Sequence, residues 1–375
     1  MKERNLGLDL CRILSMLGII ILHIIEKGGV QHITNGVYTT NYWLAEWVNI
    51  CGICCVDVFA IMSGYFGINK KKPSSYRAIE LITVVLFFSI IITACFALFS
   101  PDKVSGIKDI IKGVFPSISH RYWYITNFIP IMLLQPYLNK MILAMSKKQH
   151  MMLCILSIII FSVVPSSISV DIFRFYNGYS FVWLLCLYVI GAYLKRSVLD
   201  TYKLSRKLLF LTFISVSIML LFGNIFIDYV IGLNHKYFVK YTSPFILLMG
   251  ICAFLLLKNM KFKKGAKPLE MLSNVAFDVY IVHCHIFIYD FIIDDAFEWI
   301  ANAPSYLIIP IILACGTAIY AACAIIGILR IKLFKITRLS NLLLKISDFI
   351  DKLIYIDFSS YKTKHLNLYL PLSSN

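Results

Sequence analysis

The chain has 375 residues, of which 59% are hydrophobic and 15% are charged, and its mean hydropathy is +0.78. Soluble globular domains contain about 45–50% apolar residues, so this composition excludes an ordinary soluble domain and predicts an integral membrane protein. The formal net charge of +16 would be compatible with nucleic-acid binding, but the placement of the basic residues along the chain indicates a membrane topology instead.

Apolar segments long enough to cross a bilayer recur along most of the chain. A helix needs roughly 20 residues to cross a hydrocarbon core of about 30 Å. The hydropathy pattern predicts about ten such helices, with bounds at 8–25, 42–66, 79–99, 121–143, 151–168, 179–194, 207–227, 243–257, 271–293 and 305–329. The sequence therefore predicts an all-α, polytopic helix bundle that crosses the cell membrane many times.

Basic residues concentrate in alternate connecting segments, which hold 27 of the 36 Lys and Arg residues. Those segments are 1–7, 67–78, 140–150, 195–207, 258–270 and 330–375. This asymmetry follows the positive-inside rule, and it predicts that these segments and both termini face the cytoplasm. Topology thus explains the net charge, and we expect no nucleic-acid partner.

The first predicted span, LDLCRILSMLGIIILHIIEKG (8–28), contains Arg12 and His23. An ionised group within a bilayer costs at least about 2.5–3.5 kcal/mol, so such residues usually mark a site or pathway. At about 100° per residue the two side chains share one face, separated along the axis by about 16 Å. The alternatives are that Arg12 reaches the interface and pairs with Asp9, and that His23 binds a backbone carbonyl.

The second predicted span contains VDVFAIMSGYFG (56–67), which runs from the predicted outer side toward the cytoplasm. Asp57 lies near mid-membrane, where a carboxylate could orient a histidine. The Ser63–Gly64 pair lies near the cytoplasmic end, and glycine allows a ligand to approach the backbone closely. The basic residues that follow are Lys70, Lys71 and Lys72. They are candidates for binding phosphate groups, although topology and lipid headgroups also explain them.

Aromatic residues open the fourth predicted span at HRYWYI (120–125). Tyr122 and Trp123 are expected at the outer interface, where an aromatic belt would account for them without a function. The alternative interpretation is a surface on which a sugar ring stacks.

The ninth predicted span contains FDVYIVHCHIF (277–287), with Tyr280, His283 and His285. Residues two apart on a helix do not share a face, so His283 and His285 are poorly placed to bind one metal ion. The chain's 11 cysteines all fall within apolar segments, which is typical of packing residues. We therefore predict no metal site and no disulfide.

A tail follows the last predicted span, and its segment 333–356 places apolar residues three or four apart, with lysines between them. This pattern predicts an amphipathic helix that lies on the membrane lipid of the inner leaflet, with a disordered tail as the alternative. The predicted organisation is a transmembrane domain at 1–330 and a cytoplasmic tail at 331–375.

The order of these elements resembles the acyltransferase 3 family of membrane acyltransferases. The matching elements are an arginine and a histidine with ten residues between them, DVFAIMSGYF, YWYI with QPYLNK, and a late YIVH. The resemblance covers about residues 1–330. There are two departures: Phe59 is followed by Ala60 where the family usually has two phenylalanines, and the basic stretch after the second span is mostly lysine where the family often has arginine.

Members of that family acylate, commonly O-acetylate, cell-surface glycans with acyl-CoA from the cytoplasm. The resemblance therefore implies transfer of an acetyl or another short acyl group from acetyl-CoA, or a related acyl-CoA, to a hydroxyl of a polysaccharide or lipid-linked sugar. A flippase or exporter of a lipid-linked glycan is the alternative, because it also needs a basic cytoplasmic face and a polar interior. The short outer loops disfavour a third class, the polysaccharide polymerases.

The family's own motif residues fall on a set of seven positions, Arg12, His23, Ser63, Gly64, Trp123, Tyr280 and His283. Together with the other polar residues of the spans, they suggest roles for single residues. CoA would dock at the cytoplasmic rim on Arg12, Ser63, Gly64, Lys70, Lys71 and Lys72. His23 would act as general base on the acceptor hydroxyl or take the acyl group itself. Asp57 or Tyr280 would orient His23, while His283, Trp123 and Tyr122 would help to place the acceptor. The sequence leaves open whether transfer is direct or proceeds in two steps.

Overall fold

The structure is a computed structural model that describes residues 4–31, 38–70, 75–104, 106–116, 121–168, 171, 173–198, 205–231, 238–260, 262 and 266–354. Two parts of the predicted architecture lie outside these residues. They are Lys71 and Lys72 of the basic cluster, and residues 355–375 of the tail.

The regular secondary structure of the described chain is helical, which confirms the all-α prediction for this part. The first helices are α1 (Leu6–Glu26), α2 (Thr40–Gly67), α3 (Tyr76–Phe99), α4 (Ile107–Val114), α5 (Trp123–Ala144), α6 (Lys147–Ile158) and α7 (Val164–Ile168). The later helices are α8 (Phe181–Tyr193), α9 (Arg206–Phe226), α10 (Pro244–Lys258), α11 (Ala266–Asn274), α12 (Ala276–His283), α13 (Ile286–Ile288), α14 (Ser305–Ile336) and α15 (Leu339–Ile354). Short π-helical turns follow α6, α8, α9 and α13.

Within the described residues, six helical segments are long and apolar enough to cross a membrane, and a bent pair would make a seventh. The six are α1, α2, α3, the combined α6–α7 segment, α9 with its π turn, and α14. The chain is therefore a polytopic helical membrane protein. The other predicted spans are also helical, as α5, α8 and α10, but the number of ten crossings stays a prediction.

The ninth predicted span, 271–293, is broken, contrary to the continuous helix that its hydropathy predicts. The bend between Ala276–His283 and Ile286–Asn302 is 61°. It forms because His285 adopts an extended backbone conformation, and its side chain accepts a hydrogen bond from the amide of Phe287 at 3.3 Å. The histidine thus ends one helix and caps the next, which hydropathy does not indicate.

Helices α1 and α2 form the centre of the bundle. α1 packs against α2, α10, α11 and α14, and α2 packs against α8, α9 and α10 as well. Both helices begin at side-chain caps, since Asn5 accepts a hydrogen bond from Leu8 and Thr39 accepts one from Tyr42. These caps satisfy amides that a helix start leaves without partners.

The contact between α2 and α8 is especially close because two glycines lie in it. A Cβ atom at Gly64 would lie 1.9 Å from the carbonyl oxygen of Tyr188, and one at Gly191 would lie 2.0 Å from that of Ile61. Small residues allow helix backbones to approach each other in this way in membranes. Helix packing alone therefore accounts for a glycine at position 64, without any contact with a ligand.

Replacing Gly64 with alanine should lower the melting temperature of the detergent-solubilised protein. The new methyl group meets backbone that cannot rotate away, and overpacking of this kind costs about 1–3 kcal/mol. Gly223→Ala, in α9, is the matched control because no atom lies within 4 Å of its Cβ position; helix propensity there favours alanine by about 1 kcal/mol. Equal melting temperatures for the two variants would contradict the close crossing.

Most of the predicted amphipathic segment 333–356 forms a separate helix, α15, after a turn that follows Ile336. α15 packs on the protein and also presents apolar side chains outward. The carboxylate of Asp351 accepts a hydrogen bond of 2.7 Å from the amide of Ser75, at the start of α3. Leu343 is buried, whereas Phe349 and Leu353 are exposed. α14 continues to Ile336, past the predicted domain boundary at residue 330.

Candidate active site

A cavity of about 260 Å³ lies inside the bundle, among α1, α2, α5 and α12. Met16, Ile19 and His23 line it from one face of α1. Their spacing of three and four residues explains why these side chains point the same way. The predicted inward orientation of His23 agrees with this placement.

His23 lies at the centre of a group of rings and a thiol. Its ring centroid is 5.2 Å from that of His283 and 5.0 Å from that of Tyr289. Its Nδ1 atom is 3.7 Å from the Sγ atom of Cys284. Within the described part of the chain, no backbone carbonyl hydrogen-bonds to His23, so the alternative of a histidine satisfied by the backbone is not observed.

His283 has a defined tautomer because one ring nitrogen faces a carbonyl. Nδ1 lies 2.6 Å from the carbonyl oxygen of Val279, and since a carbonyl only accepts, Nδ1 must carry the proton. Nε2 then presents its lone pair to Cys284 Sγ at 3.3 Å. The ligand atoms of His23, His283 and Cys284 all lie within 4.8 Å of one another, a spacing that a metal ion could also use.

Aromatic rings form the opposite wall of the cavity. The centroid of Trp123 is 4.5 Å from that of Tyr179 and 5.8 Å from that of Tyr241. Tyr280 also lines the cavity, with its ring 6.1 Å from that of His283. The wall brings the start of α5 together with residues that precede α8 and α10 along the chain.

Arg121 supplies a positive charge to the same cavity. Its Nη2 atom donates to both carboxylate oxygens of Asp290, at 2.6 and 2.9 Å, and its guanidinium lies over the ring of Tyr289 at 4.9 Å. Neither Nε nor Nη1 of Arg121 has a hydrogen-bond partner among the described residues. The cavity thus combines an imidazole, a thiol and a guanidinium.

Arg12 lies one helical turn beyond Met16, outside the cavity and toward the predicted cytoplasmic end. Its Nη1 donates to Ser273 Oγ at 3.0 Å, and Ser273 donates in turn to Asp9 at 2.8 Å. The direct partner of Asp9 is Arg4, at 2.7 and 2.8 Å, so Arg12 forms no ion pair with a carboxylate within the described residues. The proposed pairing of Arg12 with Asp9 is therefore indirect, which leaves most of the guanidinium available to an anion.

Comparison of the sequence with known proteins identifies the family of the chain. A family model described as an acyltransferase domain matches residues 5–328, which include every residue of the cavity and Arg12. The chain belongs to the acyltransferase 3 family. No curated protein and no solved structure matches the chain. The protein is therefore a membrane acyltransferase by family.

Asp57 does not contact the histidines of this acyltransferase 3 protein. It is fully buried, and Oδ1 accepts a hydrogen bond of 3.1 Å from the indole nitrogen of Trp183. Its Oδ2 has no hydrogen-bond partner in the described structure. The structure thus gives no contact through which Asp57 would orient His23.

Tyr122 is also outside the cavity, although the neighbouring Trp123 lines it. Its ring is fully buried and its hydroxyl donates to the carbonyl of Ile281. This bond fastens the start of α5 to α12. The structure therefore supports a positioning role for Tyr122 and shows no contact with the space that a substrate would occupy.

The predicted donor-binding residues of the acyltransferase 3 chain lie at the other end of α2. Ser63 is half-buried and donates to the carbonyl of Ala60 at 2.6 Å, and Gly64 packs against α8. Lys70 is exposed beyond the end of α2; local desolvation and the nearby Arg77 cation lower the pKa of its amine to about 8. This grouping of positive charges near Arg12 would favour an anionic ligand.

Several residues of the cavity were not predicted from the sequence, among them Arg121, Cys284, Tyr179 and Tyr241. Cys284 directly follows His283, and this adjacency to a candidate site residue is the sequence feature that could have indicated it. Tyr179 and Tyr241 reach the cavity through packing between distant segments, for which the sequence offers no local signal. His285, in contrast, faces Gly113, whose carbonyl lies 3.0 Å from its Nε2, in agreement with the expectation that it and His283 do not share a ligand.

Proposed function

We propose that the protein transfers an acetyl or another short acyl group from cytoplasmic acyl-CoA to a hydroxyl of a cell-surface or lipid-linked polysaccharide. The observation that best supports this activity is the His23 imidazole, which faces a cavity between an aromatic wall and a guanidinium. The protein would lie in the cell membrane, cross it ten times and have both termini in the cytoplasm. The proposed reaction requires no metal ion.

The donor would bind at the cytoplasmic rim, where its phosphates stay near water. Arg12 offers a guanidinium without a carboxylate partner in the described chain, and Lys70 lies at the same end of the bundle. Guanidinium groups bind phosphate in a bidentate manner, whereas lysine acts as a point charge. Arg12 is therefore the stronger candidate for phosphate recognition.

The pantetheine arm would then reach from Arg12 toward His23, over about 16 Å of the α1 axis. The cavity covers only the outer part of this path, since its lining ends at Met16, Phe59 and Phe277. These apolar side chains lie between the donor rim and His23. The proposed path thus requires them to move apart, and an unbranched methionine can repack readily.

His23 would act as the general base on the acceptor. The acceptor hydroxyl gives its proton to the imidazole as its oxygen attacks the acyl carbonyl, and the carbon–sulfur bond of the thioester then breaks. The departing thiolate takes that proton from the imidazolium and leaves as a free thiol, which returns His23 to its neutral form. Arg121 is placed to stabilise the negative charge that develops on the carbonyl oxygen, a contribution that is large in sites with little water.

The acceptor sugar would lie against Trp123, Tyr179 and Tyr241. Aromatic faces provide a flat apolar surface for the apolar face of a sugar ring, and their hydroxyl and indole groups offer hydrogen bonds. This wall lies toward the predicted outer side, where a surface glycan is present. The arrangement therefore accepts donor and acceptor from opposite ends.

Glycan analysis by NMR or mass spectrometry, of cells with and without the gene, tests the proposed function. We expect loss of O-acyl groups from one surface polysaccharide, with its sugar backbone still present at the cell surface. A glycan that is missing from the surface, or that carries an unchanged acylation pattern, would instead favour the flippase or exporter alternative.

Replacing Arg12 with alanine should raise the KM for acyl-CoA by about 10–100-fold, because hydrogen bonds to charged groups contribute about 1.5–3 kcal/mol. Arg12→Lys should recover only part of this loss, since lysine keeps the charge and loses the bidentate geometry. The measurement is initial rate against acetyl-CoA concentration in proteoliposomes. Arg338→Ala is a suitable control because Arg338 is exposed on the turn before α15. An unchanged KM for Arg12→Ala would remove Arg12 from the donor site.

A further inference from the structure

Cys284 lies between the two histidines, on the turn where the broken ninth span changes direction. Its Sγ atom is 3.3 Å from His283 Nε2 and 3.7 Å from His23 Nδ1. Only 5% of the residue is exposed, and that part lines the cavity. Within the described structure it is the one thiol with two imidazole neighbours inside a candidate substrate cavity.

Cys284 shares one geometric feature with activated cysteine nucleophiles, an oriented imidazole within hydrogen-bond reach of its sulfur. Because the Nδ1 proton of His283 is donated to Val279, the Nε2 lone pair is free to take the proton of the thiol. The thiolate is the nucleophilic form of cysteine, and a thiol within hydrogen-bond reach of an oriented base is the usual arrangement of Cys–His catalysis. The helical turn of α12 thus orients the base, and the break after it presents the sulfur.

The size of the cavity favours transfer in two steps. Pockets that enclose drug-sized ligands measure about 300–1,000 Å³, whereas this cavity measures about 260 Å³. Holding a pantetheine arm and a sugar ring at the same time would therefore require the cavity to widen further than admitting either one alone. A carrier on the protein would allow the two substrates to use the cavity in turn.

We propose that Cys284 is the acyl carrier of the reaction, an inference that rests on the proposed acyltransferase function. In the first step His283 takes the thiol proton, Sγ attacks the acyl carbonyl, and the bond between the acyl carbon and the CoA sulfur breaks. The CoA thiolate takes the proton from His283 and leaves as free thiol. One thioester replaces another, so the acyl group stays activated.

In the second step His23 takes the proton of the acceptor hydroxyl. The hydroxyl oxygen attacks the Cys284 thioester, the bond between the acyl carbon and Sγ breaks, and the cysteine sulfur regains a proton from His23. The products are the O-acylated acceptor and the free enzyme. Each histidine thus serves one half of the reaction, which accounts for the presence of both beside one sulfur.

The test uses the purified full-length protein and radiolabelled acetyl-CoA without acceptor, quenched in acid and analysed by peptide mass spectrometry. We expect a single acetyl group on the peptide containing Cys284, removable by neutral hydroxylamine. Cys284→Ala should abolish this adduct and lower transfer to acceptor at least tenfold, the equivalent of about 1.4 kcal/mol in the barrier. Cys323→Ala is the control because Cys323 is buried but does not line the cavity.

Thermal melting of each variant separates loss of chemistry from loss of fold, and Cys284→Ser gives a second variant of nearly unchanged size. Transfer at the wild-type rate by a folded Cys284→Ala or Cys284→Ser protein would overturn the carrier proposal while the acyltransferase function stands. A second result would also overturn the carrier proposal: the wild-type protein binds one equivalent of zinc and carries no acetyl adduct, and Cys284→Ala loses the zinc. Cys284 would then be a metal ligand. Absence of any acyl transfer, together with unchanged glycans in cells lacking the gene, would instead refute the proposed function.

Discussion

Replacing His23 with alanine should reduce acyl transfer by about 10²–10⁴-fold, the usual contribution of a general base. The loss should appear in kcat, because the imidazole acts on the acceptor hydroxyl during bond formation and lies about 16 Å from the proposed donor phosphates along the helix. The measurement is acetyl transfer in proteoliposomes with a saturating donor. His23→Gln should be similarly inactive, since an amide fills the space but accepts no proton at neutral pH.

His285→Asn is the matched control for His23→Ala. His285 is buried two residues beyond His283, but it faces the carbonyl of Gly113 and not the cavity. Asparagine keeps an acceptor for the amide that His285 caps, so this variant should retain most of the activity. A folded His23→Ala protein with wild-type activity would exclude His23 as the base.

Replacing Asp278 with alanine should destabilise the protein by about 3–5 kcal/mol, the typical cost of leaving one member of a buried ion pair unpaired. Arg330, on α14, donates to the two carboxylate oxygens of Asp278 at 2.8 and 2.7 Å. The side chains are only 9% and 2% exposed. The change in melting temperature of the solubilised protein measures this effect.

Two controls separate the broken pair from a general effect of mutation. Asp102→Ala removes an exposed pair with Lys103 at 3.9 Å, and such pairs contribute about 0–1 kcal/mol. The double variant Asp278→Leu with Arg330→Met removes both charges, which is often neutral for stability. A double variant as unstable as Asp278→Ala would show that the Asp278 carboxylate stabilises the fold through contacts other than its ion pair with Arg330.

Asp278→Ala should also reduce activity before the protein unfolds. Asp278 lies on α12, the short helix that bears Tyr280 and His283 and leads to Cys284. Its ion pair fixes this helix against α14, so its loss would loosen the position of His283. Displacement of a catalytic group by about 1 Å can cost about 10²-fold in rate.

The sequence predicted the elements whose properties are periodic and local. The apolar spans, the common face of Arg12 and His23, and the opposite directions of His283 and His285 follow from helical geometry alone. The structure shows six or seven of the ten predicted spans within the described residues, and it separates His283 from His285 by a break in the helix that the periodicity does not indicate. The family match supports the resemblance. Helical geometry does not indicate how far the cavity extends, and its lining on α1 reaches Met16 and does not include Arg12.

The sequence could not predict contacts that depend on how helices cross. The tight approach of α2 to α8 gives Gly64 a packing role, and burial beside Trp183 separates Asp57 from the histidines. Tyr179 enters the site from a connecting segment. None of these positions has a periodic pattern, because each is decided by the packing of segments far apart in the chain.

The 61° bend divides the ninth span into two helical segments that meet at Cys284 and His285. The inner segment is tied to α14 through Asp278 and Arg330, and the outer segment is tied to the start of α5 through Asp290 and Arg121. Tyr122, at the same start of α5, also donates to Ile281 of the inner segment. Contacts on both sides of the break thus fix where the sulfur lies, so its spacing from the two imidazoles is set by α5 and α14 as well as by the span that carries it.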